Sequence, residues 1–324
     1  MIAAVCAACV LCVLACVAVF FFRFAMARNF GGRQPENAWQ TPPRAASAGA
    51  DETSRRMYEA ETWLYAEMQR RGVRHETRSA DGLRLAARYL PPEGETRAIF
   101  LIVHGYRSSA LHDFACAVRD LVPRGFGCFL IDQRAHGESE GKWICFGVKE
   151  RFDVRDWAAY IGECYPGVPV ILDGVSMGAA SVMGAASLPL PACVSGIVAD
   201  CGYTTMRAIF RKVIRQWFRL PPFPFVPLAE AVCRLVCGFG FSDVSSGECL
   251  SHARVPVLLA HGTADGFVPF SMAREIFSEA QGTADVEFFR AEGADHGMSY
   301  LADPAGYTAA LERLFARCLK EGSL

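Results

Sequence analysis

The 324-residue chain has almost no net charge: 33 basic residues stand against 34 acidic ones, leaving −1 at neutral pH. No field exists to gather a phosphate backbone, so nucleic acid is excluded as a partner. An Asn-x-Ser/Thr sequon is also lacking. Outside one N-terminal apolar run there is no Cys-x-x-Cys pair, and no Cys/His cluster has zinc spacing, so neither a metal nor an organic cofactor is expected. The fourteen cysteines therefore read as small buried hydrophobes in a reducing compartment. Disorder and fibrous repeats are excluded as well, because 52% apolar and 21% charged residues at this length can bury a substantial core.

What the chain does have begins at its start. Ile2 to Phe22 contain no charge, proline or glycine. At 1.5 Å per residue this run spans about 30 Å, the thickness of a bilayer's hydrocarbon core, and residues 1–28 read as a transmembrane anchor. A cleaved secretory signal would carry basic residues before the run and a small-residue site after it, whereas Phe20, Phe21, Phe22 and Arg23 follow here. Arg23, Arg28 and Arg33 flank one side only, which predicts a single-pass membrane protein with the rest of the chain in the cytoplasm. Residues 29–56, rich in Gly, Pro, Ala and Ser, read as a flexible linker, and residues 57–322 as one domain.

Within that domain, short apolar runs alternate with helical patterns. Leu83–Tyr89, Ala98–Val103, Cys128–Ile131, Val168–Leu172, Val194–Ala199, Val255–Ala260 and Val286–Phe289 read as strands. Ala110–Val122, Lys149–Tyr165, Met177–Leu188, Phe270–Glu279 and Pro304–Leu319 read as helices, with a further amphipathic segment around Met57, Trp63, Leu64 and Met68. Such alternation predicts an α/β fold, a mostly parallel sheet flanked by helices on both faces. Ligands in these sheets sit beyond the carboxyl ends of the strands.

Three strand ends carry the chemistry. Val170-Ile171-Leu172 leads into Gly174-Val175-Ser176-Met177-Gly178, a Gly-x-Ser-x-Gly turn in strand–turn–helix context. A sharp turn there exposes the serine hydroxyl, and the glycines let helix and strand approach closely. A hydroxyl is a weak nucleophile at neutral pH and needs a base held by a carboxylate. Asp265, in His261-Gly262-Thr263-Ala264-Asp265, and His296, in Ala294-Asp295-His296-Gly297, follow the two last strands and supply both.

From about Arg74 to Leu319 the chain resembles a serine α/β-hydrolase, similar to bacterial esterases, acylglycerol lipases and serine-aminopeptidase-like proteins. The resemblance is carried by His104-Gly105, by Asp132-Gln133-Arg134-Ala135-His136-Gly137-Glu138-Ser139, by the serine turn, by His261-Gly262 through Val268-Pro269, and by His296-Gly297. It implies a triad of Ser176, Asp265 and His296, with the backbone N–H groups of Tyr106 and Met177 holding an oxyanion. His104 and His136 are expected to fix loops. Asp200 is a rival for the triad acid, Asp295 reads as a solvated carboxylate, and Asp173 has no assigned role. Ala135 stands where many relatives have glycine.

Residues 203–251 break the alternation and read as a helical cap over the strand ends. Trp217, Phe218, Phe223 and Phe225 are candidates to wall an apolar acyl or aryl pocket, although they would equally serve to bury the cap against the body. The function so implied is hydrolysis of a small-molecule carboxylic ester through an acyl-enzyme. The alternatives are an aminopeptidase-like amidase, which needs an acidic anchor for a free amine, and a non-catalytic binding module on the same fold.

Overall fold

The computed structural model describes residues 2–30, 38–45, 47 and 49–318. Eight strands form one sheet: β1 (Val73–Arg78), β2 (Arg84–Leu90), β3 (Ala98–Val103), β4 (Phe126–Asp132), β5 (Val170–Val175), β6 (Val194–Asp200), β7 (Val257–Gly262) and β8 (Val286–Ala291). Their order is β1-β2-β4-β3-β5-β6-β7-β8. β2 runs antiparallel to both β1 and β4, and all other neighbours are parallel. This is the mostly parallel sheet that the alternation predicts. β1 was not expected: Val73-Arg74-His75-Glu76-Thr77-Arg78 has no apolar run, because an edge strand with neither face fully covered needs none.

The helices are α1 (Ile2–Met26), α2 (Glu52–Arg71), α3 (Ala110–Leu121), α4 (Glu150–Cys164), α5 (Met177–Ala185), α6 (Met206–Gln216), α7 (Pro222–Cys237), α8 (Ser246–Ser251), α9 (Phe270–Ala280), α10 (Ser299–Ala302) and α11 (Pro304–Cys318). β3 shows how they cover the sheet. Phe100 and Ile102 pack with residues of α2, α3 and α11, while Ile99, Leu101 and Val103 pack with residues of α4, α5 and α9. Burial on both faces is why the strand is uniformly apolar. The expected linker is partly structured: Trp39 is buried in the first of these clusters, and Asp51 caps α2 by accepting the Ser54 N–H at 2.7 Å.

The N-terminal helix corrects one expectation. From Ala18 onward α1 packs on protein: Ala18, Phe21, Phe22 and Met26 are buried, and the Phe22 ring lies 4.8 Å from that of Trp143. The part before Ala18 rises about 24 Å at 1.5 Å per residue, short of the roughly 30 Å of hydrocarbon a span must cross. No helix among the described residues is long and apolar enough to cross a membrane. The predicted transmembrane anchor therefore fails, and with it membrane attachment through this helix and the single-pass, cytoplasmic placement inferred from it. Arg28, expected as a flanking charge, instead donates to the carbonyl of Gly137 at 2.7 Å. Arg33 and Leu319, the end of the last expected helix, lie outside the described residues.

Between β6 and β7, α6 to α8 occupy the expected cap segment. Thr205 caps α6 by accepting the Ala208 N–H. Met206, Ile209, Phe210 and Ile214 turn inward, while Arg207 on the outer face pairs with Glu230 of α7.

Candidate active site

β5 ends in the serine turn. Ser176 adopts φ 57° and ψ −114°, a region that side-chain-bearing residues rarely occupy, and its N–H is tied to the carbonyl of Asp200 at 2.8 Å. A Cβ on Gly178 would collide with the carbonyl of Val103, and one on Gly174 with the carbonyl of Gly178. Both flanking glycines are thus required by the close approach of α5 to the sheet.

The structure brings Ser176, His296 and Asp265 together. Ser176 Oγ lies 2.9 Å from His296 Nε2, and His296 Nδ1 lies 2.7 Å from Asp265 Oδ2. Because the carboxylate takes a proton donor at Nδ1, Nε2 is left as the acceptor for the serine hydroxyl. Asp265 is heavily solvated by protein. Its Oδ1 accepts the N–H groups of Phe267 and Val268 at 2.8 and 2.7 Å, and His261 Nε2 stands 3.2 Å from Oδ2. Burial disfavours the charge, but hydrogen bonds from His261, His296 and the Val268 amide outweigh it and hold the carboxyl well below its ordinary range. Asp200 is engaged elsewhere, accepting from Ser299 Oγ at 2.7 Å, and burial raises its carboxyl.

The segment after β3 lies against Ser176: a Cβ on Gly105 would sit 3.4 Å from that of the serine. Asp113 pins this loop by accepting the Gly105 N–H at 2.7 Å and the Ser108 hydroxyl at 2.6 Å. The Tyr106 N–H has no backbone acceptor among the described residues, and the Met177 N–H opens α5, where helix amides lack internal acceptors. His104 and His136 hold loops. His104 bonds the Gly105 carbonyl and the Gln133 N–H, and His136 bonds the Arg134 carbonyl and the Arg107 N–H. Ala135 takes φ 61°, the left-handed region where glycine is at ease, yet its side chain is buried.

Comparison with known proteins bears on the fold. Residues 94–228 match the family described as serine aminopeptidase, S33. The uncharacterized protein YqkD of Bacillus subtilis is 25% identical over 223 residues, covering 68% of this chain and 72% of that one. The monoglyceride lipase of Homo sapiens is 34% identical over 117 residues, only 34% of this chain and 37% of that one. Among solved structures, the Pyrococcus furiosus esterase Pf2001 superposes with a TM-score of 0.63 at 18% identity, covering 86% of this chain and 98% of that one. The fold is that of an α/β hydrolase.

Ser176 and Met177 open on a cavity of about 50 Å³ whose other walls include Tyr106, Phe146, Phe210 and Phe267. Among the described residues, no charged side chain lines it. Trp217 and Phe218 are in its wall, as the aromatic stretch of the cap suggests. Phe225 stands behind it, 5.4 Å from the Phe21 ring. Phe223 is a correction: it is 77% exposed and faces a separate groove with Arg207, Arg211 and Arg215. Its extended backbone, φ −91° and ψ 132°, precedes the regular turns of α7 and turns the ring away.

Sequence reasoning missed three features. Asp295 is exposed, yet its Oδ1 accepts the N–H groups of Gly266 and His296 at 2.9 and 2.7 Å, tying the loops that carry the acid and the imidazole. Asp173 is buried beneath the serine turn with one oxygen unpartnered among the described residues, and burial, aided by Asp200, pushes its carboxyl well up. Phe21 and Phe24 of α1 line the cavity, which no local pattern signals. Cys201, Asp265 and His296 lie close enough to suggest a metal-ligand group. They suit one poorly, because both His296 nitrogens are engaged and burial keeps the Cys201 thiol protonated.

Proposed function

We propose that this α/β hydrolase cleaves carboxylic esters with an apolar acyl or aryl group through an acyl-enzyme on Ser176. The observation that carries the proposal is the hydrogen-bonded chain Asp265–His296–Ser176 ending at an apolar cavity. His296 Nε2 takes the hydroxyl proton as Ser176 Oγ attacks the ester carbonyl, and returns it to the leaving alcohol. Asp265 fixes the imidazole tautomer and stabilises the imidazolium. The N–H groups of Tyr106 and Met177 receive the developing oxyanion. Water then repeats the cycle to release the acid, and α6 to α8, within residues 203–251, serve as the cap over the acyl group.

The cavity wall supports esters over peptides. An aminopeptidase must hold a free ammonium, and among the described residues the wall offers no carboxylate to do so. The lipase similarity of one relative points the same way. Turnover of p-nitrophenyl esters beside amino-acid anilides tests the reading. Ester turnover falling on the order of 10³-fold or more in Ser176→Ala and His296→Ala is the expected result. Preferential cleavage of anilides would favour the amidase, and unchanged turnover in either variant would refute the triad.

A further inference from the structure

The end of α1 reaches the reacting serine. Phe21 and Phe24 line the same cavity as Ser176, and both rings pack edge-on against Phe218 of the cap, at 5.0 and 5.1 Å. The terminal carbonyls of a helix have no partners within it. Here they are satisfied by the loop beside Ser176: Tyr106 Oη donates to the Ala25 carbonyl at 2.7 Å, and Arg107 Nη2 donates to those of Phe24 and Ala27 at 2.8 and 3.1 Å. The Ile144 N–H takes the Met26 carbonyl at 2.7 Å, and Ala27 bridges Trp143. The helix end is thus fixed from two sides, directly over the cavity.

From this geometry we propose that the end of α1 is a wall of the acyl pocket and that Phe21 and Phe24 set the length of acyl chain the enzyme accepts. The inference rests on the esterase reading above. A cavity of about 50 Å³ holds an acetyl-sized group and little more. Longer chains must occupy the volume now filled by the two rings. Their removal extends the pocket along α1, between Phe218 and Phe225, which already pack against Phe21.

The test is kcat/KM for p-nitrophenyl acetate, butyrate and octanoate with the full chain and with Phe21→Ala, Phe24→Ala and Phe24→Leu. Val19→Ala, at an exposed site on the same helix outside the cavity, serves as control. The native protein should prefer acetate, and the alanine variants should shift the octanoate-to-acetate ratio by about 10-fold or more, the scale of discrimination by pocket size. Phe24→Leu should shift it in the same direction by less, and it preserves packing should alanine unfold the helix end. Native preference for acetate with unchanged ratios in all three Phe variants overturns the inference and leaves the esterase reading standing. No ester turnover by the native chain, together with no reaction of Ser176 with a fluorophosphonate, overturns both.

Discussion

Replacing Asp265 by asparagine separates the chemical role proposed for this carboxylate from its structural contacts. Oδ1 receives two backbone N–H groups, and Oδ2 faces His296 Nδ1 at 2.7 Å and His261 Nε2 at 3.2 Å. An amide retains one acceptor oxygen. With that oxygen on the Phe267 and Val268 side, the NH₂ group meets two imidazole nitrogens. His296 can adapt by moving its proton to Nε2, so that Nδ1 accepts and Nε2–H points at Ser176, and the serine then has no base. We expect kcat to fall by on the order of 10⁴-fold with KM little changed. His261 cannot adapt so easily, because its Nε2–H also serves the Val268 carbonyl at 2.9 Å. Loss of its charged neighbour, with a buried donor left poorly matched, should cost about 1–3 kcal/mol of stability at neutral pH.

The pH dependence follows from the same contacts. Hydrogen bonds hold the Asp265 carboxyl below its ordinary range against the opposing effect of burial. A carboxyl depressed in the folded state contributes stability that is fully present above its unfolded value, about 4, and is lost as pH falls through the folded value. The stability gap between native protein and Asp265→Asn should therefore narrow below about pH 4. Ester turnover and urea unfolding, the latter near neutrality and near pH 3, check both arms. A variant within tenfold of native kcat, or a gap that widens in acid, would refute this reasoning.

Two further predictions rest on single contacts. Arg134 grips buried Asp153 through two bonds of 2.6 Å, so Arg134→Ala strands a carboxyl whose pKa burial already pushes up to about 6; chemical denaturation should show a loss of about 3–5 kcal/mol, and Arg134→Lys should recover only part of it. Asp295→Ala frees the amides of Gly266 and His296 and loosens the imidazole loop, so kcat should fall by on the order of 10-fold while fluorophosphonate still reacts with Ser176; native kcat would show that the loops need no such tie.

The sheet was legible because its central strands are apolar on both faces, so that β3 occupies the very run Ala98–Val103 that the sequence marks. β1 escaped notice because an edge strand can be polar throughout. The serine turn, the acid and the imidazole each sit in a local motif at a strand end, and the fold brings the three within hydrogen-bond distance. Asp295 is exposed, as a solvated carboxylate is, but the local sequence does not reveal which amides it reaches. The largest error concerned α1: hydropathy records that Phe21, Phe22 and Met26 avoid water, and it carries no information on whether lipid or protein covers them. Phe223 failed for a related reason, since an aromatic run does not reveal which rings the backbone turns inward.

The most direct measurement is the mass of the peptide containing Ser176 after reaction with a fluorophosphonate, read for the native chain and for His296→Ala. The account predicts one phosphonyl group per chain, located on Ser176, formed rapidly by the native protein and on the order of 10³-fold more slowly without the imidazole. An adduct on another residue, or equal rates in the two proteins, would contradict it.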